Sequence, residues 1–331
     1  ATDCNSTLYA ATYGQGLWKS DLKDPGNVAA VACFEASATD VCMGETVTFT
    51  DNSSYTPTSW TWTITPATVT FAGGTNANSQ NPQINFTAAG TYSIQLQAFN
   101  ATGNDIELKN TYITVSAASV GSAYTDDFES HALCGTTTDC ATTTCAFTGT
   151  FWKNLTNGTE DDIDWRIDEE GTTSAGTGPS QDFNPGTAAG NYAYTEASNS
   201  CNSQTAILEC SCMNLDQTYD FVFAYHMFGG NMGSLHLDIN VGGTWTLDIT
   251  PAILGDQGNS WQIRTVSLAA YTGQIIKLRL RGVTGNGFES DIAIDDIALT
   301  PVSSLPITLL SFDAEVFDNK SVNLQWKTLT E

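Results

Sequence analysis

The chain has 331 residues, room for about two or three ordinary domains. It carries 11 Lys+Arg against 36 Asp+Glu, a formal net charge of −25. That excludes nucleic acid as a partner, because phosphate recognition needs clustered Lys and Arg, and it disfavours anionic lipid surfaces. The acids are scattered rather than blocked, so they do not form a disordered acidic tail. Charged residues make up only 14% and aromatics 10%. Thr-rich alternation punctuated by Gly turns predicts an all-β, secreted protein. No apolar run approaches the ~18–20 residues of a membrane span, so no membrane insertion is expected.

Residues 1–30 contain Leu8-Tyr9-Ala10-Ala11-Thr12-Tyr13, a Gly14-Gln15-Gly16 turn and Leu17-Trp18-Lys19-Ser20, which read as strand, turn, strand. A lone hairpin buries no core. This one resembles the closing strands of a β-propeller blade of the sialidase or sortilin-like kind; the other reading is a self-contained hairpin packed on the next domain. Asp24-Pro25-Gly26-Asn27 marks a boundary. Residues 31–117 then show alternating strands such as Thr46–Thr50 and Tyr92–Ala98, with turns at the short intervals of a β-sandwich. Trp60 and Trp62 share one face of a strand and are expected in one core. Together with Asn81-Pro82-Gln83-Ile84-Asn85-Phe86, Gly90-Thr91-Tyr92 and Asn100-Ala101-Thr102-Gly103, these residues resemble a PKD domain, an immunoglobulin-like module. The family's usual Gly-Asp-Gly turn is replaced by Thr65-Pro66-Ala67.

The small, polar stretch 115–122 reads as a linker. In residues 118–303, Asp126-Asp127-Phe128-Glu129 is followed by Asp161-Asp162-Ile163-Asp164-Trp165, Gly178-Pro179-Ser180-Gln181-Asp182, Tyr192-Ala193-Tyr194-Thr195-Glu196, Tyr225-His226-Met227-Phe228-Gly229 and Asp291-Ile292-Ala293-Ile294-Asp295-Asp296-Ile297. In this order the run resembles a MAM domain, which implies a β-jelly-roll module of extracellular adhesion proteins. Ile276 to Arg281 alternates apolar with basic, predicting one buried and one wet face. Residues 304–331, with a first strand in Leu305–Phe312 and a second at Val322–Trp326, resemble the start of the immunoglobulin-like segment that precedes the sorting domain of Bacteroidetes proteins exported by type IX secretion. The chain is therefore expected to be incomplete at both ends, with partial β segments there. It opens Ala-Thr-Asp-Cys, so any signal peptide is expected to have been removed or to lie outside.

The nine cysteines show no zinc-finger spacing with histidines, so disulfides in an oxidising compartment are expected. Cys33 and Cys42 flank a short hairpin-like stretch and are expected to pair. Cys134, Cys140, Cys145, Cys201, Cys210 and Cys212 leave about 15 connectivities open. Cys4 is the expected odd thiol.

The sharpest chemical candidate is a structural Ca²⁺ at the ends of the jelly roll, where the first and last strands run close together. The first strand offers Asp127 and Glu129 on one face, with Asp126 beside them. The last offers Asp295 and Asp296, with Asp291 further back. Ca²⁺ takes six to eight oxygen ligands at about 2.3–2.6 Å. Strict alternation puts Asp296 on the face of Ile292 and Ile294, and an acid on an apolar face must be paired or metal-bound. The resemblance supports a cation in this region. Asp161, Asp162 and Asp164 lack the Gly and following helix of an EF-hand and read as a solvated loop. His226 reads as structural, since only His131 and His236 accompany it. No His-Glu-x-x-His or Gly-x-Ser-x-Gly motif is present, so no enzyme is expected. The chain reads as a non-catalytic, secreted or cell-surface adhesion module binding a glycan or protein, with self-association through strand addition as an alternative for a surface filament. The other alternative is an accessory part of a secreted protease or glycosidase.

Overall fold

The computed structural model describes residues 7–12, 16–21, 28–120, 123–134, 145, 147, 151–302, 309–318 and 321–328. Strand alternation builds two separate cores. In Gly90–Phe99, Tyr92, Ile94, Leu96 and Ala98 are fully buried and the residues between them are half-exposed. This strand lies in a four-stranded sheet in the order Asp40–Cys42, Asn104–Ser116, Gly90–Phe99, Ser59–Thr65. A second sheet, Phe34–Ala36, Thr46–Asp51, Gln83–Phe86, Val69–Ala72, packs on it. Trp62 is buried against Phe34 and Phe49, and Trp60 packs half-buried on the same cluster. Both indoles are satisfied: Trp60 Nε1 donates to Asp51 Oδ2 at 2.7 Å and Trp62 Nε1 to the Ser79 carbonyl at 2.9 Å.

The expected Cys33–Cys42 pair does not form. Phe34–Ala36 pairs with Thr46–Asp51, whereas Asp40–Cys42 pairs in parallel with Asn104–Ser116 in the opposite sheet. The chain crosses the sandwich at Ser37–Thr39 instead of turning a hairpin, so the strands next to Cys33 and holding Cys42 lie in opposite sheets. Cys42 is bonded to Cys212, 170 residues along and in the second sandwich. Cys134 pairs with Cys145, and Cys33 and Cys201 are also disulfide-bonded. The free cysteine among the described residues is Cys210 rather than Cys4, which lies outside them, as does Cys140. Burial pushes the Cys210 thiol up to about 12, and its Sγ accepts a bond from Leu278 N at 3.0 Å. The thiolate is the nucleophile, so holding Cys210 protonated disfavours its exchange with the disulfide of Cys212.

The second sandwich has a six-stranded sheet: Arg166–Glu169, Asn191–Thr195, Ile292–Pro301, Tyr219–Met227, Gln262–Ser267, with Tyr124–Asp126 also on Ile292–Pro301. Facing it is an eight-stranded sheet centred on Ile275–Val283, flanked by Thr205–Cys210 and Ser234–Val241. Trp165, Leu208, Leu237, Leu278, Ile292 and Ile294 fill the space between. The expected linker is itself part of this sheet, since Ser119–Val120 pairs in parallel with Met213–Asn214. The expected wet face of Ile276–Arg281 is also largely covered. Lys277 is 5% exposed, and Arg279 and Arg281 converge on Asp238, which is fully buried on the neighbouring strand.

Two hairpins stand at the ends of the sequence. Thr7–Thr12 pairs with Gly16–Asp21, and Leu309–Asp318 pairs with Ser321–Thr328. No helix among the described residues is long and apolar enough to cross a membrane.

Closing a loop across 170 residues contributes about 5 kcal/mol in the chain-entropy model. Because each sandwich has its own core, Cys42→Ser with Cys212→Ser should leave both folded but uncoupled. Calorimetry should then resolve two transitions, the first below the single transition of the oxidised protein; one unshifted transition would show that the bond does not couple them.

Candidate functional site

The first and last strands of the jelly roll do pair, Tyr124 opposite Leu299 and Asp126 opposite Ile297. The expected calcium ligands nevertheless do not gather. Asp127 and Glu129 are exposed; Asp127 Oδ1 takes the Glu129 N–H at 3.3 Å, and Glu129 Oε1 takes the Asn191 N–H at 2.6 Å. Among the described residues no group of three or more His, Cys, Asp or Glu side chains is placed to hold a metal ion.

The reason lies in one residue of the last strand. Val222 is opposite Ala298 but Ala224 is opposite Asp295, so one extra residue is inserted at a β-bulge. Asp296 carries φ +48° there. The bulge resets the alternation: Ile297 takes the inward place that strict period two gives Asp296, and Asp296 is left half-exposed. Asp295 instead is buried on the outer face of the sheet. Its Oδ2 accepts the N–H groups of Phe183 and Asn184 at 2.8 and 3.1 Å, and its Oδ1 that of Asp296 at 2.7 Å. Burial still raises its pKa to about 7. Asp295 thus pins the covering segment 171–190 to the sheet, and Trp261 adds a second pin through Nε1 to the Gln181 carbonyl at 2.9 Å.

Beneath that segment is a polar layer that sequence reasoning missed. Tyr192, Tyr194 and Glu196 alternate outward from the strand whose Ala193 packs in the core, and Asp291 meets Glu196 from the last strand. Both acids are fully buried. Glu196 Oε1 accepts the Ser198 N–H at 2.8 Å, and Asp291 Oδ1 accepts the Ala197 N–H at 3.0 Å. Thr177 Oγ1 takes the Asp291 N–H at 2.9 Å, and the Thr172 hydroxyl, which donates to the Thr177 carbonyl at 3.3 Å, tempers the rise of the Asp291 pKa. Glu196 Oε2 and Asp291 Oδ2 have no protein partner. Burial, with the Glu196 charge beside it, pushes the Asp291 pKa up to about 8. Glu196 and Asp291 are near enough for their charges to act on each other, and each leaves a buried oxygen unpartnered, a donor of the kind a hard divalent cation takes. The signal was available: Tyr192-x-Tyr194-x-Glu196 puts an acid on the face of two tyrosines.

The segment read as a solvated acidic loop is also bonded in. Asp161 and Asp164 are buried, with Asp161 Oδ2 accepting from Ile207 N at 2.8 Å and Asp164 Oδ2 from Cys145 N at 2.7 Å. Asp162 Oδ2 accepts from Thr205 N at 2.9 Å. Asp161 and Asp162 stitch the loop to the strand Thr205–Cys210, and Asp164 ties it to Cys145. His226 is buried between Phe228 and Trp261, its Nε2 3.1 Å from Asn259 Oδ1, and burial lowers its pKa. It is therefore a neutral packing residue at physiological pH.

Two family models match the chain in this order. The PKD domain model matches residues 33–111, and the model described as MAM domain, meprin/A5/mu, matches residues 126–303. Both are non-catalytic binding or adhesion domains. The chain is similar to Neuropilin-1a of Danio rerio, 31% identical over 140 residues, covering 41% of this chain and 15% of that protein. It is 34% identical over 147 residues to MAM domain-containing glycosylphosphatidylinositol anchor protein 1 of Gallus gallus, covering 42% of this chain and 15% of the relative. It thus spans only a small part of the length of these relatives. Among solved structures, a cleaved adhesin domain of Lys-gingipain from Porphyromonas gingivalis aligns with 55% of this chain and 100% of its own, at 15% identity and a TM-score of 0.34. With its model matched over 126–303, the chain belongs to the MAM domain family, behind a PKD domain.

Proposed function

We propose that the chain is a non-catalytic adhesion module of an extracellular or cell-surface protein, binding a glycan or protein on another surface. The observation that carries this reading is the pair of binding modules, PKD and MAM, joined covalently by Cys42–Cys212. A disulfide between modules belongs to an oxidising compartment, and the surface anchoring in the name of the Gallus gallus relative agrees with that placement. The resemblance of residues 304–331 to the segment before a type IX sorting domain supports a bacterial surface protein, and the pairing of Leu309–Asp318 with Ser321–Thr328 suits that segment's opening strands.

Ca²⁺ is the structural ion of this reading. Glu196 and Asp291 would hold it through the oxygens that lack protein partners, with Thr172 beside them. When bound, it supplies the positive charge that lets both carboxylates ionise while buried. Asp127, Glu129, Asp295 and Asp296 lie outside this pair.

Beads coated with the chain should adhere to glycan- or protein-coated surfaces and be displaced by soluble chain. Adhesion no greater than that of albumin-coated beads across both kinds of surface would refute the reading. The ion has its own test. In the metal-free protein the folded state keeps a proton on Asp291 up to about pH 8, whereas the unfolded chain releases it near pH 4. The folded state therefore binds more protons across that window, and this stability is lost as pH rises through it. With a chelator the Tm should fall between about pH 5 and pH 8.5, and added Ca²⁺ should restore it mainly at the upper end. Asp291→Asn should flatten its share of the fall and abolish the calcium effect. Equal Tm values with chelator and with calcium at the upper pH would rule the ion out.

A further inference from the structure

A cleft of about 290 Å³ lies where the two domains meet. The PKD domain contributes Asp40 and Glu45, and the MAM domain contributes Lys153, Glu209, Trp245 and Lys277. Its floor is built and buried. Lys277 is 5% exposed and lies 3.3 Å from Glu209 and 3.4 Å from Asp40. Burial pulls its pKa down, yet Glu209, Asp40 and Glu45 together hold it above the ordinary lysine value. Glu45 is 6% exposed; its Oε2 accepts the Cys42 N–H at 2.9 Å, while its Oε1 is buried with no protein donor. At the wall, the Arg279 guanidinium covers one face of Trp245 at 4.1 Å, fixing the indole in place.

We propose that this cleft binds one neutral sugar ring of a glycan, packed by its C–H face on Trp245 and held through its hydroxyls by Glu45, Glu209, Lys153 and Lys277. The inference rests on the adhesion reading above and names its ligand class and its site. Charged side chains form the stronger hydrogen bonds to neutral hydroxyls, and here they offer both acceptors and donors around one aromatic surface. The orphaned Glu45 Oε1 calls for a donor, which a hydroxyl supplies. Glu160 also lines the cleft, so four carboxylates face two ammonium groups, and that balance repels uronic and sialic acids. A metal ion is disfavoured too, because the Lys277 ammonium already stands among the carboxylates. The volume sits at the lower end of the ~300–1,000 Å³ of small-molecule sites, which suits one ring rather than an oligosaccharide chain.

The test uses the whole chain with methyl glycosides of glucose, galactose and mannose, with N-acetylglucosamine, and with glucuronic and sialic acids as anionic probes. Saturation-transfer NMR and titration calorimetry read binding. At least one neutral sugar should bind, and the acids should not. Trp245→Ala and Glu45→Gln should each weaken binding by about tenfold or more with the Tm retained. Trp245 is half-exposed, so its variant keeps the fold even where substitution of the buried Glu45 does not. A neutral sugar bound equally by both variants would place glycan binding elsewhere and overturn this site while leaving adhesion intact. Binding of no neutral sugar, or preference for the acids, overturns the proposal outright; adhesion of the coated beads to protein-coated surfaces would still stand on its own.

Discussion

The Cys42–Cys212 bond is the constraint on which the arrangement of this protein depends. It holds Asp40, two residues earlier in the chain, against Lys153 and Lys277 of the other domain. It also sits beside the short parallel pairing of Ser119–Val120 with Met213–Asn214, where Ser119 N donates to the Cys212 carbonyl at 3.0 Å. A buried lysine needs compensating charge. Lys277 takes part of it from its own domain, through Glu209, and part from the PKD domain, through Asp40 and Glu45. The junction is therefore covalent, hydrogen-bonded and electrostatic at once, and residues from both domains form a single surface.

Much of the fold was readable because strands bury every second residue. Tyr92, Ile94, Leu96 and Ala98, and again Ile276, Leu278 and Leu280, lie where alternation puts them. Alternation failed with most consequence at the bulge at Asp296, because the calcium argument depended on which acid faced inward. A bulge is an insertion in pairing, fixed by the partner strand Tyr219–Met227, and leaves no mark in the sequence of its own strand. The same holds for Cys42. Its partner is chosen by the crossing of the chain from one sheet to the other at Ser37–Thr39, a long-range event that local spacing around Cys33 does not encode. Asp161 and Asp164 misled for a related reason: three carboxylates in four residues look solvated until the distant N–H groups of Ile207 and Cys145 that bond them are known.

The outer face of the six-stranded sheet explains how so acidic a chain folds. There Asp291, Asp295 and Asp168 are raised to about 8, about 7 and about 6, and Asp161, bonded to the facing sheet, is also raised to about 6. The formal charge of −25 thus overstates the charge of the metal-free fold near neutrality. The acids that are hardest to ionise, Asp291 and Asp295, are those beneath the segment 171–190.

The position of the interdomain disulfide also sets how the protein bears tension. A pull applied to the backbone before Cys42 and after Cys212 passes directly through the S–S bond. The chain between them, a sequence separation of 170 that would span roughly 600 Å if fully drawn out, stays out of the load path. Most PKD strands and the Trp165 and Glu196 regions of the jelly roll lie inside that shielded loop, as does Glu45. Lys277, Trp245 and Asp291 lie beyond it, on the loaded part of the chain. Under shear the load would therefore divide the cleft across both walls, with Glu45, Lys153, Glu160 and Glu209 behind the covalent bypass and Asp40, Trp245 and Lys277 on the loaded chain.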